Sequence, residues 1–102
     1  MYLVVFRNRK RRDIDRAAYD AEAAEMEQLS ARQPGYLSFK SYVADDGEVV
    51  ALSEWDTREA ARQWGRHAEH AATKRRGVLQ YYQSYTLFGC EDPVVHRFNR
   101  DD

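Results

Sequence analysis

The chain has 102 residues, enough for one globular domain, and 43% of them are hydrophobic and 32% charged. The formal net charge of -1 argues against a general nucleic-acid binder, which carries a basic excess. The single cysteine, Cys90, excludes an intrachain disulfide and a cysteine metal cluster, and we expect it to be a small buried side chain.

The first half of the chain predicts a strand, a helix and a second strand. Residues 2–9 are apolar, β-branched or aromatic, as is typical of a strand. Asp13 or Asp15 can cap the following helix, which runs to about Arg32 and ends at a Pro-Gly pair. Residues 36–43 alternate between two sets of side chains, which predicts a half-buried strand.

A hairpin and a second helix follow. Residues 45–47, Asp-Asp-Gly, are a tight-turn signal, and residues 48–55 are the expected partner strand. Asp56 or Thr57 can cap the next helix, and Asp56 with Glu59 has the spacing of a capping box. An alanine- and tryptophan-containing stripe predicts the buried face of this helix.

The last third predicts further strands. Gly65 weakens the second helix, so we expect a kink or break near it. Residues 81–88 are rich in aromatic side chains and predict a fourth strand, and residues 94–98 predict a short fifth one. We expect one domain over residues 1–98 and a flexible tail over 99–102.

The predicted element order is βαββαβ, an α+β ferredoxin-like fold in which two helices cover one face of a four-stranded antiparallel sheet. The other sheet face is then uncovered. Aromatic residues make up 13% of the chain, more than a small core needs. A second copy of the sheet is the simplest cover, so we expect a homodimer. No apolar run approaches the ~18 residues of a membrane-spanning helix, and no signal peptide is recognisable, so we expect a cytoplasmic protein with no membrane partner.

Several separated motifs resemble, in order, those of the antibiotic biosynthesis monooxygenase (ABM) family. They are Gln33-Pro-Gly-Tyr-Leu-Ser-Phe39, Val49-Val-Ala-Leu-Ser-Glu-Trp-Asp-Thr57, Glu59-Ala-Ala-Arg-Gln-Trp64, His67-Ala-Glu-His70 and Tyr81-Tyr82. The resemblance covers nearly the whole chain. It implies a dimeric α/β barrel that binds an aromatic small molecule.

Two branches of that family have characterised activities. One oxidises phenolic polycyclic intermediates to quinones with O2, without metal or flavin. The other binds and degrades heme, and resembles this chain in an asparagine near the end of the first strand, Asn8, and a tryptophan on the second helix, Trp64. The heme branch also needs an axial histidine two to three turns beyond the tryptophan. Thr73 and Lys74 stand there instead.

The two helical histidines are a possible source of acid–base chemistry. His67 and His70 are three residues apart and can share a helix face, but a metal site needs further ligands, so we expect none. His70 can line the cavity as a structural polar group. It can also act as a general base toward a phenolic proton, since histidine titrates near neutral pH.

Asn8 and Trp64 have a structural and a functional interpretation each. Trp64 lies on the apolar stripe of its helix and can be a core residue, or its flat ring can stack on a planar substrate. Asn8 needs hydrogen-bond partners if it is buried. The family resemblance adds that it can donate to a substrate oxygen or a reduced-oxygen intermediate.

Further candidates for substrate binding are Tyr81, Tyr82, Tyr85 and Arg75. In a regular strand Tyr81 and Tyr85 share one face and Tyr82 lies on the other. Arg75 could neutralise an anionic substrate, although a solvated helix end is the simpler interpretation. The basic segment at residues 7–12 predicts a solvated turn or, alternatively, a clamp for an anionic group.

The sequence leaves three functional hypotheses. The first is a cofactor-independent monooxygenase acting on a planar phenolic or polyketide-like molecule, with Asn8, Trp64 and His70 as catalytic residues and the three tyrosines, Arg75 and His67 around the substrate. The second is a heme-binding and heme-degrading monooxygenase. The third is a dimeric small-ligand-binding domain without catalysis.

Overall fold

The computed structural model describes residues 1–70 and 80–101, and it describes all their side chains except those of residues 68–70. Within these residues the elements are β1 (Tyr2–Lys10), α1 (Arg16–Ala31), β2 (Tyr36–Val43), β3 (Val49–Trp55), α2 (Arg58–His70) and β4 (Tyr82–Glu91). The strands form one antiparallel sheet in the order β2-β3-β1-β4. The predicted βαββαβ ferredoxin-like fold is therefore confirmed.

The register of β1 determines which side chains share a sheet face. Tyr2 lies opposite Trp55 on β3, and Asn8 lies opposite both Val49 on β3 and Tyr85 on β4. Residues paired across neighbouring strands point to the same face. Trp55 packs on α2, so this is the face that the helices cover.

Both helices begin at a residue whose side chain satisfies a free backbone N–H group. The Asp15 carboxylate accepts from the Ala18 N–H group at 3.0 Å, which selects Asp15 over Asp13 as the cap of α1. The Thr57 hydroxyl oxygen accepts from the Ala60 N–H group at 3.0 Å. Thr57 is therefore the cap of α2, and the predicted capping box starting at residue 56 is wrong. The helix also continues through its glycine without a break.

The C-terminal segment differs from expectation. Residues 93–101 form neither helix nor strand, so the predicted fifth strand is wrong. Asp92 takes a left-handed backbone conformation with φ 49°, and Pro93 has no N–H group to give to a sheet. Cys90 lies opposite Leu3 on the face away from the helices and is exposed, not buried as expected. In the described part of the chain, neither helix has the length and apolarity needed to cross a membrane.

Candidate functional site

Asn8 is the central residue of the candidate site. Its side chain is 3% exposed, at the far end of β1 and on the helix-covered face. The ammonium of Lys10 donates to its Oδ1 atom. Because an ammonium has donors and no acceptor, this bond requires the carbonyl oxygen of the amide to face Lys10. The Nδ2 group, which is a donor, therefore points away from Lys10.

Aromatic rings lie on the same side of the sheet as this amide and next to its partner Lys10. Phe6 lies 5.6 Å from the Tyr82 ring in an edge-to-face arrangement and 5.4 Å from the Tyr85 ring, measured between centroids. Tyr19 of α1 meets the Tyr82 ring edge-on at 6.4 Å. We call these groups the amide cluster, which consists of Phe6, Asn8, Lys10, Tyr19, Tyr82 and Tyr85.

A β-bulge brings two of these tyrosines together. The register shifts between Arg9 and Lys10, so that Lys10 lies opposite Tyr82 while Asn8 lies opposite Tyr85. The extra residue, Gln83, cancels the alternation expected of a regular strand. Tyr82 and Tyr85 therefore share the helix-covered face, with ring centroids 6.1 Å apart, and the predicted placement of Tyr82 on the opposite face is wrong.

The phenol of Tyr82 stays protonated well beyond neutral pH. Burial raises its pKa above the ordinary tyrosine range, and the charge and hydrogen bond of the neighbouring Tyr19 phenol raise it further. Tyr82 is thus a hydrogen-bond donor and not a base under ordinary conditions. Tyr85 is 51% exposed and lies at the open side of the amide cluster.

Tyr81 lies just outside β4 and extends the aromatic wall toward α1. It is 7% exposed, and its ring meets Tyr19 edge-on at 5.2 Å. Its backbone carbonyl accepts from the Arg11 N–H group at 2.7 Å. An open surface depression of about 310 Å³ lies beside it, lined by Arg11, Asp13, Ile14, Asp15, Ala18 and Gln80. Tyr81 therefore borders this depression and contacts the Tyr19 ring.

Trp64 belongs to a second group at the other end of β1, which we call the indole cluster and which consists of Tyr36, Trp55, Trp64 and His67. Trp64 stacks on Trp55 with centroids 6.3 Å apart and on the His67 ring at 5.7 Å. Trp55 is 1% exposed and lies opposite Tyr2. The described contacts thus do not bring Trp64 and His67 into the amide cluster.

The remaining predicted residues lie outside the described part of the chain. His70 is the last residue of α2, but its side chain is not described, and Arg75 belongs to the segment 71–79. Among the side chains that are described, no group of three or more His, Cys, Asp or Glu residues could hold a metal ion. The described candidates that come together are Asn8, Tyr82 and Tyr85, with Tyr81 beside them.

Sequence reasoning missed Lys10, Tyr19 and Phe6. The basic segment at residues 7–12 mostly belongs to β1, and three of its arginines form surface ion pairs. Arg7 pairs with Glu48, Arg9 with Asp46, and Arg11 with Asp13, at 3.1, 2.7 and 3.1 Å. Lys10 instead faces the helices. Its spacing of two from Asn8 is a signal that could have identified it, because strand residues two apart share a face.

A four-stranded antiparallel sheet with two helices on one face, in the order βαββαβ, places this chain among the small ferredoxin-like α+β proteins. The antibiotic biosynthesis monooxygenase family model matches residues 1–76, and the chain belongs to this family. The uncharacterized protein YqjZ of Bacillus subtilis is 35% identical over 86 residues, which are 84% of this chain and 74% of YqjZ.

Solved structures share the fold. Rv0793 from Mycobacterium tuberculosis has a TM-score of 0.74 at 23% identity, covering 93% of this chain and 96% of its own. A mutant of SnoaB, described as a cofactor-independent oxygenase from Streptomyces nogalater, has a TM-score of 0.71 at 18% identity, covering 92% and 94% of the two chains. At these identities the likeness establishes the fold.

Proposed function

We propose that the protein is a cofactor-independent monooxygenase that oxidises a planar phenolic or polyketide-like molecule with O2. The observation that carries this proposal is the buried Asn8 amide, whose Nδ2 donor is oriented by Lys10 within a set of aromatic rings. Family membership and the fold shared with an oxygenase described as cofactor-independent support it.

The chemistry requires little from the protein. A phenolic anthrone loses a proton and becomes electron-rich enough to react with O2 itself. Its CH2 group then becomes C=O, with one oxygen atom kept and the other released as water. The protein supplies a dry pocket, a base, and a donor for the negative charge that develops on oxygen. We assign the donor role to Asn8, and stacking contacts to the rings of Tyr82 and Tyr85.

The other predicted roles stay as proposals. We propose His70 as the base that takes the phenolic proton, since an imidazole titrates near neutral pH. Trp64 and His67 remain proposed substrate contacts, and their described contacts lie in the indole cluster at the other end of β1 from Asn8. Tyr81 and Arg75 remain proposed substrate contacts.

The test is oxygen uptake with dithranol, a 1,8-dihydroxyanthrone, measured with an oxygen electrode. We expect Asn8→Ala to lower kcat/KM by about 100-fold, the effect of removing one preorganised donor to a developing oxyanion. Asn99→Ala, which changes an exposed asparagine in the C-terminal segment, is the matched control. Equal rates in both variants would remove Asn8 from the mechanism. No uptake by the native protein would favour a ligand-binding domain without catalysis.

The heme alternative does not fit the residues of this chain. Thr73 and Lys74 occupy the positions at which the heme branch needs its axial histidine. The His67 ring stacks on Trp64. We therefore propose a reaction without heme and expect no Soret shift when hemin is added to the purified protein. A shifted Soret band that decays with a reductant would reverse this choice.

We also propose that the protein works as a homodimer. The sheet face away from the helices carries Leu3, Val5, Phe88 and Cys90, and Phe88 is 44% exposed in the single chain. An apolar sheet face of this kind is stable in water when a partner covers it. Sedimentation should give twice the chain mass, and Phe88→Glu should shift the protein toward the monomer. The domain boundary at residue 98 and the cytoplasmic location remain predictions.

A further inference from the structure

Lys10 is the cation of β1 that faces the helices. Its Nζ atom lies 4.7 Å from the centroid of the Tyr19 ring and 5.6 Å from that of the Tyr82 ring. The same atom donates to Asn8 Oδ1. Three separate groups on β1, α1 and β4 thus hold one ammonium in place.

This position is costly for a lysine, which normally extends into water. A half-buried ammonium loses part of its hydration, and that loss must be offset by hydrogen bonds or ring faces. Arg7 and Arg9 on the same strand avoid the cost by pairing with carboxylates at the surface. Because Lys10 faces the helices despite this cost, we expect it to have a role that the surface cations Arg7 and Arg9 do not have.

An amide side chain alone does not determine which of its two ends faces a ligand. Rotation by half a turn exchanges the oxygen acceptor and the nitrogen donor with almost no change in shape. Beside an ammonium the choice is fixed, because only the oxygen can accept. The positive charge of the ammonium beside the amide oxygen also polarises the amide, which makes the Nδ2 hydrogens stronger donors.

We propose that Lys10 is a positioning residue that fixes the Asn8 amide with its Nδ2 donor toward the ligand, an inference that rests on the proposed donor role of Asn8. Lys10 acts through Asn8 and not by touching the substrate. With the Nδ2 donor facing the ligand, the site favours a ligand oxygen that accepts a hydrogen bond, such as the oxyanion of a deprotonated phenol. It disfavours a ligand hydroxyl that must donate one.

The first experiment uses the free protein and needs no substrate. The Asn8 side-chain amide resonances are assigned in ¹⁵N–¹H spectra by comparison with Asn8→Ala. Lys10→Met should shift them, and Lys10→Arg should leave them near their native positions. The control is Arg9→Met, which removes a neighbouring cation whose partner is Asp46 at the surface. Equal shifts in Lys10→Met and Arg9→Met would overturn the proposal.

Lys10→Gln tests orientation if the methionine variant does not fold. A glutamine offers a donor and an acceptor, so it can satisfy Asn8 in either orientation and no longer fixes the amide. We expect it to shift the Asn8 resonances as Lys10→Met does. Native-like resonances in Lys10→Gln would show that the cation is not what orients the amide.

The second experiment is a double-mutant cycle on dithranol oxidation. Lys10→Met should lower kcat about tenfold, the factor for one charge-assisted hydrogen bond, with a smaller change in KM. In an Asn8→Ala background it should have almost no further effect, because Lys10 acts through Asn8. If the losses in kcat caused by Lys10→Met and Asn8→Ala instead multiply in the double variant, the two residues act independently and the proposal is overturned. If the native protein consumes no O2, the proposed function fails, while the amide resonances still decide the role of Lys10.

Discussion

Two aromatic clusters lie on the helix-covered face of the sheet, and they differ in their polar groups. The indole cluster contains Trp55, whose Nε1 group donates to the Ser53 hydroxyl on its own strand at 3.1 Å. The amide cluster contains a buried carboxamide, an ammonium and three phenols. The indole cluster satisfies its most buried polar atom, Trp55 Nε1, within one strand, whereas the amide cluster brings polar groups from β1, α1 and β4 into one place.

This difference separates packing from function. A structural core gains stability from apolar area and keeps polar groups few, since each one must be paired. The amide cluster carries more polar groups than packing requires. We therefore expect substitutions of the buried Trp55 in the indole cluster to act mainly on stability and substitutions in the amide cluster mainly on activity.

The largest effect should come from Trp55→Ala. Trp55 is 1% exposed and contacts both Tyr36 and Trp64, so its removal leaves a large cavity. We expect a loss of about 3–5 kcal/mol in the free energy of unfolding, measured by urea denaturation. Asn8→Ala should lose only about 1–2 kcal/mol, the cost of leaving Lys10 without its acceptor. Similar losses in the two variants would contradict the division between the clusters.

A somewhat smaller effect is expected at Gly35, which precedes the indole-cluster residue Tyr36. Its φ of +84° favours glycine, and a Cβ atom there would collide with the Asp56 carboxylate and approach the Ala60 Cβ to 2.6 Å. Gly35→Ala should therefore lose about 3 kcal/mol of unfolding free energy, from backbone strain and overpacking together.

Gly47→Ala is the matched control for this prediction. Gly47 also has a positive φ, of +90°, but a Cβ atom there meets nothing within 4 Å. Gly47→Ala should therefore lose only the free energy of unfolding that comes from backbone strain, about 1 kcal/mol. Equal losses at both glycines would show that the contact with α2 does not restrict Gly35.

The fold was predictable because its signals are local. The Asp15 cap, the Pro-Gly helix end and the alternating strand at Tyr36–Val43 each depend on neighbouring residues. The bulge at Gln83 depends on how two distant strands meet, so the shared face of Tyr82 and Tyr85 was not predictable. Lys10 was missed for a related reason: a run of charges is typical of a solvated segment, and the spacing of two from Asn8 identifies Lys10 only once Asn8 is known to face the helices.

Alkaline pH should test the amide cluster through Tyr82. Its pKa in the folded protein is raised above the unfolded value of about 10, so the folded state keeps the proton that the unfolded state loses. The stabilisation is fully present below pH 10 and is lost as the pH rises further, by at most about 1.4 kcal/mol per pH unit. Urea denaturation between pH 9 and about 11 measures this slope.

Tyr82→Phe should flatten that slope, since phenylalanine has no proton to lose. Tyr42→Phe, which changes an exposed tyrosine on β2, should keep it. If the two variants have equal slopes, the alkaline loss comes from groups other than Tyr82, and the buried phenol is not a distinguishing property of the amide cluster.

The smallest effect is expected at the start of α2, the helix that carries Trp64 to the indole cluster. Thr57→Ala removes the hydroxyl that accepts from the Ala60 N–H group, so it should lower the free energy of unfolding by about 1 kcal/mol. Thr57→Ser keeps the cap and should remain near the native value. Because Thr57 caps the end of α2 that is remote from the proposed base His70, dithranol oxidation should be unchanged in both variants. A loss of activity in Thr57→Ala that Thr57→Ser does not share would mean that the position of α2 also controls the amide cluster, and the two clusters would then act as one unit.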